Sequence, residues 1–140
     1  MDEERLTTRT YGLALAAIVG VALALRLTAF GAVPPGLYHD EAYNGLDALR
    51  VLQGWHPLWF PANNGREPLF IYLVALSVAA LGRTVVAVRA PALILGLLTV
   101  PAAAFLGSSL FGRRVGLLTA AVTAVTFWPV HLSRVGLRAV

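Results

Sequence analysis

A run of almost wholly apolar residues, Tyr11 to Phe30 (YGLALAAIVGVALALRLTAF), constrains this chain more than any other feature. It covers about 20 residues, or roughly 30 Å of helix, the thickness of a bilayer's hydrocarbon core. Such a segment must be buried in lipid or in protein, and composition points to lipid. The chain is 58% hydrophobic and only 13% charged, against roughly 25% charged in soluble domains. The run exceeds the core of a signal peptide and no small-residue cleavage site follows it, so it reads as a retained helix. With no cysteine, disulfides and thiolate metal sites are excluded. The 11 basic residues are all arginine and give a net charge of +4. Apart from the adjacent Arg113-Arg114, they are scattered singly among apolar stretches. That pattern suits helix-flanking anchors and anion contacts, and it argues against nucleic-acid binding.

The rest of the chain falls into place around this helix. Residues 1–10 form a polar tail, which Arg5 and Arg9 place in the cytoplasm. Residues 11–30 cross outwards, with Arg26 near the outer end expected to snorkel to the interface. Residues 31–85 read as an extracytoplasmic loop bearing juxtamembrane helices. Within it, Asp40 to Gln53 predicts a helix from the spacing of Leu46, Leu49, Val51 and Leu52, with Asp40 as N-cap and Gly54 as stop. Trp55, Trp59 and Phe60 supply interfacial aromatics, Asn63-Asn64-Gly65 a turn, and Arg66-Glu67-Pro68 a helix start. Leu69 to Leu81 is apolar for only about 20 Å of helix, short for a crossing.

Residues 86–111 and 115–132 read as further crossings, joined by the turn Gly112-Arg113-Arg114, and residues 133–140 begin a second outer loop. The expectation is an all-α integral membrane protein with three transmembrane helices. Counting Leu69–Leu81 as a span gives four and moves Arg113-Arg114 outside; helix length favours three. With three, Arg134 and Arg138 share the side of Asp40.

Asp40-Glu41, just beyond the first span, is the strongest chemical feature. A general base must first reach the proton it removes, and a carboxylate where a lipid-linked substrate leaves the bilayer meets that condition. The plainer reading is an N-cap and a first-turn acid, each worth about 0.5–2 kcal/mol. Arg66, Arg89 and the i,i+4 pair Arg134 and Arg138 either grip a phosphate or anchor helix ends. His39, His56 and His131 are too dispersed for a metal site. A divalent ion at Asp40-Glu41 is compatible with the pair, though the spacing does not demand it. Trp55 and Trp59 are belt residues or sugar platforms.

Taken in order, these pieces resemble the polytopic glycosyltransferases of the GT-C fold, nearest to the protein-O-mannosyltransferase and aminoarabinose-transferase-like enzymes. The matching parts are the first helix with its arginine, the Pro-Gly turn and Tyr38-His39-Asp40-Glu41-Ala42-Tyr43. Glu67 to Tyr72 (EPLFIY), Val88-Arg89-Ala90-Pro91-Ala92-Leu93, Leu110 to Arg114 (LFGRR) and the aromatic-Pro then Ser133-Arg134 stretch complete the series. The resemblance implies the N-terminal portion of a multi-pass cell-membrane enzyme. Its partners would be a polyprenyl-phosphate-linked sugar donor and an acceptor lipid, glycan or protein at the extracytoplasmic face. It implies Asp40 as catalytic carboxylate supported by Glu41, donor phosphate on Arg66, Arg89 and Arg134, and substrate contacts from Tyr38, Tyr43 and Glu67. Many relatives carry a lysine where this chain has Glu67, which leaves phosphate binding there to Arg66. The alternative is a small non-catalytic membrane subunit that docks a partner through its first loop.

Overall fold

A computed structural model of the chain describes residues 7–137; Arg5 and Arg138 lie outside them. The described residues are helical, with no strand beyond one isolated bridge between Phe60 and Arg66. Helix α1 spans Thr8–Leu27 and is capped by Thr7, whose side-chain oxygen accepts from the Thr10 N–H at 3.1 Å. Next come α2, His39–Leu52, and α3, Pro68–Leu81, the latter opened by its proline. Helix α4, Val85–Phe111, starts at Thr84, which caps the Ala87 N–H, and continues through Pro91 and Pro101 for 27 residues. Of these helices, α1 and α4 are long and apolar enough to cross a bilayer.

The expected third crossing, 115–132, is not one helix. The chain turns at Gly112, where φ is +90°, and α5 occupies Arg113–Val125. Thr126 is extended, and a six-residue α6 follows at Phe127–Leu132. Pro129 accounts for the break, since it has no N–H for the ladder and its ring crowds the preceding turn. Neither piece alone has the length of a span.

Helices α1 and α4 run antiparallel. At one end the Tyr11 hydroxyl meets the Ser108 hydroxyl at 2.9 Å and Arg113 donates to Thr8. At the other end Arg89 donates to the Phe30 carbonyl. Helix α5 then runs back beside α1, so that α6 and Ser133–Leu137 return to the end that carries α2. This stem is closed by small residues. Ala22, Val100, Ala104, Ala120 and Ala124 form its buried core. A Cβ at Gly116 would lie 1.9 Å from the Ser108 hydroxyl and 2.6 Å from the Ala104 carbonyl, so only glycine permits that approach of α5 to α4. The large apolar side chains face outwards, among them Leu13, Phe105, Leu106 and Leu118.

A second core, built from Ala48, Val51, Phe60, Ile71, Val74, Val78 and Ala87, joins α2 and α3 to the first turns of α4. Helix α3 touches neither α1 nor α5 among the described residues. It belongs to this second body, here called the head, while α1, the later turns of α4 and α5 make the stem.

Arg26 does not snorkel. It is fully buried, and its Nη1 donates to the Ala22 carbonyl and to the Ala124 carbonyl at 3.1 Å, next to the break in α5.

Candidate active site

The acidic pair divides between two environments because α2 starts earlier than the sequence suggests. Tyr38, not Asp40, is the N-cap, and its N–H donates to Glu41 Oε2 at 2.8 Å. Glu41, at the third helical position, therefore reaches back as a capping-box acid does. Asp40 lies in the first turn and does not cap the helix.

Glu41 is fully buried and accepts four hydrogen bonds. Arg89 approaches both oxygens, Nε to Oε1 at 2.8 Å and Nη2 to Oε2 at 3.2 Å. The Gly136 N–H donates to Oε1 at 2.6 Å and the Tyr38 N–H to Oε2. Burial pushes the carboxyl up, but the Arg89 hydrogen bond, those from Gly136 and Tyr38, and the Arg89 charge together hold it below the ordinary glutamate value. Gly136 is required here, since a Cβ would sit 3.0 Å from the Val88 carbonyl and 3.3 Å from Glu41 Oε1.

Arg89 is equally enclosed. Its Nη1 donates to the Phe30 and Pro34 carbonyls and its Nη2 also to the Gly36 carbonyl at 2.6 Å. All five of its N–H groups thus have acceptors inside the protein. In this arrangement Arg89 fastens the turn after α1 to α2 and α4, and offers no donor to a phosphate.

Arg66 has a similar fate. It is buried, its Nη2 pairs with Asp47 and its Nη1 with the Asn44 amide oxygen, and its guanidinium lies 6.0 Å from the Tyr43 ring. Asn44 in turn donates to the Gly136 carbonyl at 2.8 Å. The sequence reading does not single out Asp47 and Asn44. The signal was there: Glu41, Asn44, Asp47, Ala48 and Val51 recur at helical spacing and form the buried face of α2. The apolar residues Leu46 and Leu52, which mark the face expected from hydropathy, are exposed.

Asp40 is left open. Its side chain is 42% exposed. Oδ1 accepts from Asn63 Nδ2 at 2.8 Å, with His39 Nδ1 3.6 Å from the same oxygen. The predicted Asn63-Asn64-Gly65 turn places that donor. All three residues have positive φ, and the paired Phe60 and Arg66 backbones close the loop at its base. Beside Asp40 in the chain, Tyr38 is exposed and Tyr43 stacks edge-on to His39 with centroids 4.8 Å apart; Glu67, from the same sequence reading, is the N-cap of α3.

Arg134 stands at the same end of the molecule, partly exposed, donating to the Leu25 and Val33 carbonyls at 3.2 Å each. It is the one phosphate candidate within the described residues not paired to a carboxylate. Among the described residues no three His, Cys, Asp or Glu side chains converge as a metal site. With both oxygens of Glu41 engaged, Asp40 and Glu41 do not chelate an ion together here. No family model, curated protein or solved structure matches the chain.

Proposed function

We propose that this chain carries the acidic site of an inverting membrane glycosyltransferase that draws its sugar from a polyprenyl-phosphate donor at the extracytoplasmic face. The observation that carries this reading is the division of the acidic pair. Glu41 is saturated by Arg89, Tyr38 and Gly136, whereas Asp40 keeps an accessible carboxylate beside it. Asp40 takes the proton of the acceptor hydroxyl or amine as that atom attacks the sugar C1. The bond from C1 to the phosphate oxygen breaks on the opposite face, and the lipid phosphate leaves with the electron pair. Arg134, partly exposed and held only by the Leu25 and Val33 carbonyls, exchanges a carbonyl for an anion and stabilises the leaving phosphate. Tyr38, Tyr43 and Glu67 border the substrate. Arg66 and Arg89 act at one remove, by holding α2 in place.

The chain crosses the membrane three times in this reading, through α1, α4 and the bent pair α5–α6. The return of Gly136 to Glu41 supports that path. A broken helix at membrane depth is tolerated where protein covers the freed backbone, and Arg26 meets the Ala124 carbonyl.

The test is sugar transfer from a radiolabelled polyprenyl-phosphate donor by membranes bearing Asp40→Asn at wild-type protein level. The rate is expected to fall by about 10²–10⁴, the usual contribution of a general base. Transfer at the wild-type rate removes Asp40 from catalysis and leaves a docking subunit as the better reading.

A further inference from the structure

A groove of about 360 Å³ runs between α2, the end of α3 and the start of α4, within the roughly 300–1,000 Å³ of sites that hold small molecules. Leu37, Leu46 and Leu49 form one wall, and Val78 and Val88 the other. Its polar lining is confined to Thr84 and Arg83. The Thr84 hydroxyl already accepts the Ala87 N–H. Arg83 is exposed and is the groove's only charged liner among the described residues. It has no carboxylate partner among them.

We infer that this groove binds an anionic membrane phospholipid, with one hydrocarbon chain between α2 and the α3–α4 corner and the phosphate against Arg83. Charge complementarity selects this occupant. The walls suit hydrocarbon, the single cation suits a phosphate, and no buried polar group is present to take a sugar or a peptide backbone. Position agrees, because the groove lies at the start of α4, a helix long and apolar enough to cross a bilayer. An arginine there sits at headgroup level, where anionic lipids attract basic side chains. Leu37 and Ala42, both lining the groove, flank Asp40 in the chain. A bound lipid therefore steadies the helix start that presents Asp40. The inference concerns a membrane lipid and does not depend on sugar transfer.

The test is photo-crosslinking of the detergent-solubilised full chain with phosphatidylglycerol carrying a diazirine on one acyl chain, beside the matching phosphatidylcholine probe. Adducts are expected within residues 37–49 and 78–88, with phosphatidylglycerol preferred. Arg83→Gln should cut that preference roughly fivefold, the size of one arginine near an anionic surface. Ala42→Phe, which fills the groove, should remove these adducts for both probes. Arg9→Gln, at the opposite end of α1, should change nothing. If Ala42→Phe fails to fold, Arg83→Gln in the exposed turn still decides. Equal labelling by the two probes, adducts absent from α2, or labelling unchanged by Arg83→Gln would each overturn the assignment. So would displacement of the probe by polyprenyl phosphate but not by unlabelled phosphatidylglycerol, which would make the groove a donor site.

Discussion

The stem and the head of this molecule bury opposite things. The stem, made of α1, the later turns of α4 and α5, buries alanines and glycines and turns its leucines and phenylalanines outwards, with one exception: Arg26, enclosed without a carboxylate and bonded to the Ala22 and Ala124 carbonyls. The head, made of α2, α3 and the first turns of α4, buries Glu41, Asp47, Arg66 and Arg89 beside an ordinary apolar core. The membrane placement proposed above would explain the contrast. Helices that face hydrocarbon gain little by hiding large apolar groups, so their packing depends on small residues that allow close approach. At an interface, charges can be enclosed, but each must come with its counter-ion and its hydrogen bonds. The head meets that demand through two pairs, Glu41–Arg89 and Asp47–Arg66.

Substitutions should separate the two regimes. The largest effect is expected in the head. Arg89→Ala leaves Glu41 buried without its cation and should cost about 3–5 kcal/mol, read as a lower melting temperature in detergent. Replacing both partners with methionine should recover part of that loss, though not the hydrogen bonds to the Pro34 and Gly36 carbonyls. If the double variant melts no higher than Arg89→Ala, the unpaired charge is not the cause.

In the stem, Gly116→Val should cost about 1–3 kcal/mol by overpacking α5 against α4. Gly12→Ala, where a Cβ meets nothing within 4 Å, should be neutral or stabilise by up to about 1 kcal/mol. Equal melting of these two variants would mean that close approach does not hold the stem.

Acid should act on the head through Glu41. Its carboxyl lies below the ordinary value in the folded state. Folding therefore favours the ionised form, and the stabilisation is complete above the unfolded value of about 4.3. It is lost as pH falls below that point. Wild-type melting temperature should fall as pH drops below about 4.3, and Glu41→Gln should flatten that part of the curve. A small effect is expected at Arg134→Gln, where loss of partly exposed hydrogen bonds to Leu25 and Val33 should cost about 1 kcal/mol or less.

Much of the stem is legible in the sequence, since a long apolar run such as Tyr11–Phe30 has few ways to satisfy its backbone other than a helix. The break at Thr126 is not read from hydropathy, because Val115–Leu132 is apolar on both sides of it; Pro129 is the residue that carries the information. In the head, Pro68 announces α3 and Asn63-Asn64-Gly65 announces the turn that aims a donor at Asp40. The start of α2 is misplaced by two residues, because a glutamate at the third helical position hides the true cap at Tyr38. The ion pairs are hidden for a different reason. Arg89 lies 48 residues from Glu41 and Arg66 lies 19 from Asp47, and no local pattern links partners so far apart. Read singly, each arginine looks like an anchor or a phosphate ligand.

The decisive comparison sets two neighbouring carboxylates against each other. Glu41→Gln should lower the melting temperature by many degrees, since it leaves the Arg89 charge enclosed without its counter-ion, a loss of about 3–5 kcal/mol. Asp40→Asn, which alters a half-open side chain held by Asn63, should melt with the wild type. Matching losses in the two variants would show that both acids serve the fold alone, and the division on which this account rests would be gone.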